Sequence, residues 1–445
     1  MNRTEAVRTR VKVVVQRENS DTPCWPSINY DIDKELSRIM APVKSKNPFI
    51  DFDIVMYTDL SQAEADYDAD LTKYDGVLVL LMTCLKKIDL FYARKAKADG
   101  LPVIVADVPY FGSGSMLCEL SPAVRCEGLP VPLIASLNYA DIAEAVSLFG
   151  VLHKMKHSKI LVISDTVQAK EQVKASEVWG CTFVNRTAAD LHTYFQTADM
   201  KAAAAIAEKW KREAVSVIEP SDADIEESAR LYLALRALKD ELEADAVTVD
   251  CLTLSYNKNY GNHAHMYPCL SHYEMNTNGE VAVCEADINS TIASLVILYL
   301  TGRPGYVSDP VIDTSSNQII YAHCVACTKI FGKDDPRSCP FYLRSHAEDK
   351  LGASVQVIFP ANEALTTIGM NFPTEDVCIH SGRSVGNVGS DAGCRSKLAA
   401  SVNTKALLQN WMPVWHRVTV FGDYREQFLR LFQMKGLTVH QEDLL

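Results

Sequence analysis

No run of apolar residues in this sequence is long enough to cross a bilayer. A spanning helix needs about 20 in a row, and the longest apolar stretches, such as 76–85, fall well short. The N-terminus, Met-Asn-Arg-Thr-Glu-Ala, is polar and has no apolar core of an export signal. A cytoplasmic protein without a membrane partner is therefore expected. Basic runs are missing too. Lysine and arginine total 44 against 56 aspartates and glutamates, a formal net charge of −12. Duplex nucleic acid and anionic lipid are poor partners for such a chain. Repeats and low-complexity tracts are also missing. With 48% hydrophobic and 22% charged residues, the composition is that of a globular protein, neither disordered nor fibrous.

Two further motifs are incomplete. The 13 cysteines are odd in number and lie in a long chain with no export signal, so reduced thiols are expected. Cys324 and Cys327 make one CxxC pair, with Cys339 and Cys394 further on, whereas a structural zinc site usually shows two such pairs. The loop Phe111-Gly-Ser-Gly-Ser-Met116 lacks the third glycine of a dinucleotide fingerprint and the Lys-Ser/Thr of a phosphate loop. It reads as a loop at the carboxyl edge of a sheet.

What the chain does contain is an alternation of strands and helices. The apolar runs Val11–Val15, Phe52–Tyr57, Gly76–Leu81, Leu101–Ala106 and Leu133–Ser136 are separated by helical patterns such as Ile32–Met40 and Ile88–Ala98. Continuous apolar strands between helices predict a parallel sheet covered on both faces. With right-handed crossovers this gives a flavodoxin-like doubly wound domain over 1–155. A second α/β domain is expected over 156–302, with strands at Ile160–Ile163, Thr182–Val184 and Ala246–Val249. From 303 to 445 short β segments dominate, several separated by glycines at 382, 386, 389 and 393, which predicts a β-rich, barrel-like domain. The fold class expected is thus two flavodoxin-like α/β domains followed by a β-rich one.

Polar residues that could carry chemistry cluster at strand ends. Glu285 follows the apolar run Val281–Cys284 and precedes the apolar helix Ile288–Leu300. Asp309 follows Tyr306–Val307 and precedes a proline, His323 ends Ile319–Ala322, and His416 opens Val418–Phe421. Each alone has a plainer reading: an Asp-Pro turn, a satisfied core histidine, a surface histidine. As a set, two carboxylates and two imidazoles suit Mn²⁺, Co²⁺ or a similar ion. Asp287 is either a helix cap or a residue that orients a ligand. Asn276 and Ser255 could touch sugar hydroxyls or serve a turn. His263, His265 and His272 lie around Pro268-Cys269 and suggest a loop more simply than a second metal site.

The succession Pro268-Cys269-Leu270, Cys284-Glu285-Ala286-Asp287, Leu300-Thr-Gly-Arg-Pro304, Asp309 and Ala322-His323-Cys324 resembles the L-fucose isomerase and L-arabinose isomerase superfamily. Arg344-Ser345-His346 with Leu351-Gly352, and His416-Arg-Val-Thr-Val-Phe-Gly-Asp423, are similar to its C-terminal part. The resemblance implies a metal-dependent aldose–ketose isomerase acting on a monosaccharide or a derivative. It implies Mn²⁺ held by Glu285, Asp309, His323 and His416, at the interface of the 156–302 and 303–445 domains. Glu285 and Asp309 would double as acid and base around a metal-stabilised enediolate. His346, Asp287 and Asn276 become candidates for contact with substrate. A homotrimer or homohexamer is implied, with the N-terminal domain of one subunit near its neighbour's site. An epimerase, a carbon–carbon lyase and a non-catalytic sugar-binding or regulatory protein are the alternatives. Trp415, directly before His416, is placed to narrow the pocket.

Overall fold

The computed structural model describes residues 8–19, 22–23, 25, 30–256, 266–372, 374–389 and 392–445. They form a mixed α/β protein with two parallel sheets flanked by helices and a β-rich C-terminal sheet. The chain divides into two compact units. Of the described residues, one holds those from Arg8 to Lys154 with Glu426–Leu437, the other those of Met155–Arg425 with Thr438–Leu445. No helix among the described residues is long and apolar enough to cross a membrane.

The first unit contains β1 (Thr9–Gln16), β2 (Ile50–Tyr57), β3 (Gly76–Leu81), β4 (Val103–Asp107) and β5 (Leu133–Ala135), in the parallel order β2-β1-β3-β4-β5. β3 and β4 are buried along their whole length, as a sheet covered on both faces demands. Lys12 is also buried in β1. Its ammonium is satisfied by Asp70 at 2.8 Å and by the hydroxyls of Tyr57 and Tyr92, which a buried charge requires. The Phe111–Met116 loop is built for close approach rather than for phosphate. A Cβ at Gly112 would fall 2.2 Å from that of Leu81, and the Gly112 amide already donates to the Asp107 carboxylate at 3.1 Å.

The second unit begins with β6 (Lys159–Ile163), β7 (Thr182–Arg186), β8 (Ala246–Val249) and β9 (Val281–Cys284), parallel in the order β7-β6-β8-β9. Its helices are capped as the sequence dictates. Ser221 and Asp224 form a capping box at the start of Asp222–Glu241, and Asp287 caps Ile288–Thr301. The antiparallel part comprises β10 (Tyr306–Asp313), β11 (Gln318–His323), β12 (Phe341–Arg344), β13 (Ser354–Val357), β14 (Ala364–Asn371), β15 (Asp376–Asn387), β16 (Ser396–Ser401), β17 (Arg417–Phe421) and β18 (Thr438–Gln441). β12 and β13 pair with each other, and the rest run β14-β17-β10-β11-β16-β15-β18. β14 also pairs with β15, so six of these strands close on themselves.

Two local readings change. β10 does not stop before Asp309-Pro310. It continues to Asp313, with Pro310 opposite Tyr321. β17 pairs only with Tyr306–Ser308, so beyond Ser308 a proline leaves no ladder bond unmade on that side. Gly382 and Gly386 do not mark turns between strands but lie inside β15. The register shifts between Ser384 and Gly386, where Gly386 takes φ +111°, so this glycine accommodates a β-bulge.

A buried polar chain ties the closed sheet to the C-terminus. Tyr321 Oη lies 2.7 Å from His380 Nε2, His380 Nδ1 lies 2.9 Å from Glu442, and Arg417 donates to Glu442 at 2.7 Å. Arg417 and Glu442 are fully buried. Burial pushes the Glu442 carboxyl up, but the His380 bond and the Arg417 charge outweigh it and hold the pKa at about 2. A depressed folded pKa contributes stability that is complete above the ordinary value and lost as pH falls through about 2. Glu442→Gln should therefore destabilise the chain by about 3–5 kcal/mol in urea unfolding at neutral pH, because it strands a buried guanidinium. The gap to wild type should narrow steadily between pH 4.5 and pH 2. A gap that is constant over that window would show that the Glu442 charge is not responsible.

Candidate metal centre

Strand register brings three of the four expected ligands into line. β10 lies between β11 and β17. Asp309 sits opposite Ala322, next to His323, and Ser308 sits opposite Arg417, next to His416. Residues separated by about a hundred positions thus reach one end of three adjacent strands. Glu285 arrives from the other sheet, directly after β9. There the backbone makes an abrupt turn: Glu285 and Ala286 adopt φ +64° and +51°, a region that costs non-glycine residues of order 1–3 kcal/mol each. Three bonds hold the turn. Ala286 N–H donates to Val249 O at 3.0 Å, Asp287 N–H to Cys284 O at 3.3 Å, and Gln168 Nε2 to Ala286 O at 3.0 Å.

The resulting atoms face one another without bonding. His416 Nε2 lies 3.6 Å from a Glu285 oxygen and 3.5 Å from Asp309 Oδ1, and His323 Nε2 lies 3.8 Å from the other Glu285 oxygen. One donor atom from each of Glu285, His323 and His416 falls within 4.8 Å of the others. Asp309 joins this group through His416 and is the most open member, its side chain 43% exposed. Both Nε2 atoms are buried and have no hydrogen-bond partner. Buried polar atoms are normally paired, so two such nitrogens converging on carboxylates are a gap that a ligand would fill. Atoms sharing one ion at bond lengths of about 2.0–2.2 Å stand roughly 3–3.5 Å apart, close to the separations here.

Asp287 settles how His416 presents itself. Its carboxylate accepts the Ser290 amide as a helix cap at 3.0 Å, the Ser290 hydroxyl at 2.6 Å and His416 Nδ1–H at 2.7 Å. Cap and orienting residue are one and the same. With Nδ1 protonated, the lone pair of Nε2 points at Glu285 and Asp309, the arrangement of a carboxylate–histidine–metal triad. His323 differs. Its Nδ1 accepts the Cys324 amide at 3.0 Å, so the neutral ring carries its proton on Nε2 and offers Glu285 a donor rather than a lone pair.

Electrostatics follow the same division. Burial lifts both Glu285 and Asp309, while the charge of His416 counters; the charge of Asp309 lifts Glu285 further, and that of Glu348 lifts both. Burial pushes His323 down to about 3, with the positive charge of His416 adding to it. For His416 burial is again the largest influence, but the Asp287 bond and the charges of Asp287, Glu285 and Asp309 outweigh it, and its pKa rises. Asp287 is lowered by that bond despite its own burial.

The remaining candidates are placed as follows. His346 stacks on Tyr267 at 3.7 Å, and its side chain bonds the Cys324 sulfur. Asn276 spends its amide on the backbone of Ala282, at 2.9 and 3.0 Å, which closes the turn into β9. Ser255 is buried and donates to Met266 O. His272 is buried against Cys284, and burial pushes it to about 3. His263 and His265 lie outside the described residues. Trp415 is 77% exposed, with its ring edge-on to His416, so it projects away from the protein interior. Cys327 and Cys339 pack in the core around β11–β13, whereas Cys324 and Cys394 lie in a separate cluster.

One residue escaped the sequence reading. The charge of Glu348 bears on Glu285 and Asp309, and Tyr256 donates to it. The acidic pair Glu348-Asp349 directly after His346 was the available signal.

No family model matches the chain, and no curated protein matches it. Among solved structures it aligns with a two-component system response regulator/GGDEF domain protein at 12% identity. That alignment covers 65% of this chain and 97% of the other, with a TM-score of 0.26. A second response regulator/GGDEF domain protein aligns at 13% identity over 57% of this chain and 88% of its own, with a TM-score of 0.25. Scores this low carry no argument about the site.

The two histidines should titrate far apart. By side-chain ¹⁵N NMR, His323 is expected to stay neutral down to about pH 3, whereas His416 gains its proton above the ordinary value of 6.5. Asp287→Asn should lower the His416 midpoint, where it removes a hydrogen bond as well as a charge, more than that of His323, on which Asp287 acts only through its charge. Coincident midpoints in the wild type would contradict the Asp287–His416 bond as the cause.

Proposed function

We propose that this chain is a metal-dependent aldose–ketose isomerase similar to the L-fucose and L-arabinose isomerases, acting on a monosaccharide or a derivative. In this reading it has two flavodoxin-like α/β domains and a barrel-like C-terminal domain, and it assembles as a homotrimer or homohexamer. The observation that carries the reading is the unpartnered, buried Nε2 of His416, oriented by Asp287 and facing two carboxylates at 3.5 and 3.6 Å. A carboxylate pair with an available imidazole lone pair fits a borderline divalent ion such as Mn²⁺. Glu285, Asp309 and His416 would hold it. Such an ion supplies fixed positive charge beside the two oxygens between which an aldose and a ketose differ.

The protein's own groups account for the proton transfers. Conversion removes a proton from C2 of the aldose and returns one to C1, while a proton moves from O2 to O1. Glu285 and Asp309 have carboxyl pKa values raised by burial, which makes each a better base when ionised and leaves it able to return the proton. His323, held neutral with its N–H toward Glu285 at 3.8 Å, is free to donate to a sugar hydroxyl. Burial of both imidazoles keeps water from competing for these positions.

The test is metal analysis and product analysis on the same preparations. Wild type soaked in Mn²⁺ should retain about one ion per chain and interconvert an aldose–ketose pair from a sugar panel, with solvent deuterium entering at C1 or C2. Asp287→Asn should weaken Mn²⁺ binding about 10–100-fold. Glu285→Gln and Asp309→Asn should lower turnover by about 10²–10⁴-fold with folding intact. A wild type that takes up no divalent ion would sink the proposal.

A further inference from the structure

We propose that Glu442 is a positioning residue for His416, acting through Arg417 on the segment that leads into β17. The metal-binding part of this rests on the reading above; the positioning itself does not. Between the helix Thr404–Asn410 and β17 the chain has no regular structure. Met412 and Val414 in this segment are bonded instead to one buried ion pair. Glu442 Oε1 accepts the Met412 N–H at 3.0 Å and Arg417 Nη2 at 2.7 Å. The guanidinium then donates to Val414 O at 2.8 Å and to Met412 O at 3.0 Å. Val414 N–H closes back on Met412 O at 2.8 Å, and the guanidinium lies 3.9 Å from the centre of the Trp411 ring.

The pair reaches His416 from both directions along the chain. Only Trp415 separates His416 from the bonded Val414, and its exposed side chain gives that stretch little packing of its own. On the other side Arg417 is the next residue. It pairs with Ser308 of β10, and its carbonyl accepts the Ser308 hydroxyl at 3.2 Å. The two neighbours face opposite ways, as successive residues entering a strand do. His416 Nδ1 meets Asp287 at 2.7 Å, and Arg417 meets Glu442. Asp287 therefore sets how the ring is turned, and the Glu442–Arg417 pair sets where its backbone stands. Both are needed to keep Nε2 at 3.5 and 3.6 Å from Asp309 and Glu285. A ring correctly turned but displaced by about 1 Å would lose that convergence, a misplacement large enough to impair a site.

Glu442 is itself held from the far side. It follows β18, which pairs with β15. Its N–H donates to Ile379 O at 2.9 Å, and its Oε2 lies 2.9 Å from His380 Nδ1. Each carboxylate oxygen thus serves a donor that belongs to a different element. An amide in its place would turn an NH₂ group toward donors on one side or the other. A carboxylate one methylene shorter would keep the charge beside Arg417 without also reaching the Met412 N–H. The next residue is a separate anchor of the same segment: Asp443 accepts the Ser381 amide at 3.0 Å and both Arg425 Nη atoms at 2.7 and 2.8 Å, and neither of these partners belongs to the 411–417 stretch.

The experiment uses the whole chain with ¹⁵N-labelled histidine and no added metal. The His416 ring ¹⁵N and Nδ1–H resonances report the bond to Asp287, and those of His380 report that a change at Glu442 has acted. Glu442→Gln should shift the His416 resonances, and Glu442→Asp should shift them less, in the same direction. Asp443→Asn should leave them in place, although it loosens the same segment. All variants are compared at a temperature where circular dichroism shows them folded; if Glu442→Gln does not fold, Glu442→Asp decides. With Mn²⁺ as the probe, Glu442→Gln should weaken binding about 10-fold, Glu442→Asp less, and Asp443→Asn not measurably. His416 resonances that stay put in folded Glu442 variants would overturn the proposal. Equal shifts in Asp443→Asn would do the same, by showing a general loosening rather than positioning. A wild type that binds no Mn²⁺ ends the isomerase reading but leaves the resonance test intact, so the two failures are distinguishable.

Discussion

Asp287 bonds a helix and an imidazole with one carboxylate, and the candidate centre depends on that sharing. A helix start exposes amides that favour an anionic acceptor, which fixes the carboxylate at the mouth of Ile288–Thr301. His416 then finds its Nδ1 partner in a group that cannot move without uncapping the helix. An imidazole so tethered has one tautomer and one direction for its free lone pair. The rest of the site is arranged around that direction: Glu285 by the turn after β9, Asp309 by the ladder between β10 and its two neighbours.

The charge distribution explains why the centre looks incomplete by itself. Glu285, Asp287, Asp309 and Glu348 all act on one another or on His416, and the one group among them that gains positive charge is His416. Burial, and behind it the nearby like charges, raises the proton affinity of both Glu285 and Asp309. Protonation would relieve the repulsion, and so would a bound cation. The two outcomes differ in geometry. A shared proton would draw an imidazole nitrogen and a carboxylate oxygen to hydrogen-bond distance, whereas their separations of 3.5 to 3.8 Å leave room for a larger occupant.

Much of the architecture was legible because its signals are periodic and local. Apolar runs such as Gly76–Leu81 and Ile160–Ile163 are strands in parallel sheets, as their continuity implied. The closure of β14 onto β15 and the passage of β10 through Pro310 were not, since both depend on which strand lies alongside. That Glu285, His323 and His416 each stand at the end of an apolar run was legible in the sequence; that they meet was not, and neither were the tautomers. They rest on the Cys324 amide and on Asp287, contacts that no spacing encodes. Asn276 had the composition of a sugar-binding residue, yet its two bonds to Ala282 are satisfied locally.

Backbone strain gives an independent reason to look at the same place. Two consecutive non-glycine residues in the left-handed region are uncommon, and glycine at either position would relieve the turn. At 286 a glycine would cost no chemistry, whereas at 285 it would remove the carboxylate. The sequence keeps a side chain at both and holds the turn with Val249, Cys284 and Gln168. The geometry of the turn is accounted for by what Glu285 faces: two buried imidazoles, neither of which has another partner at Nε2.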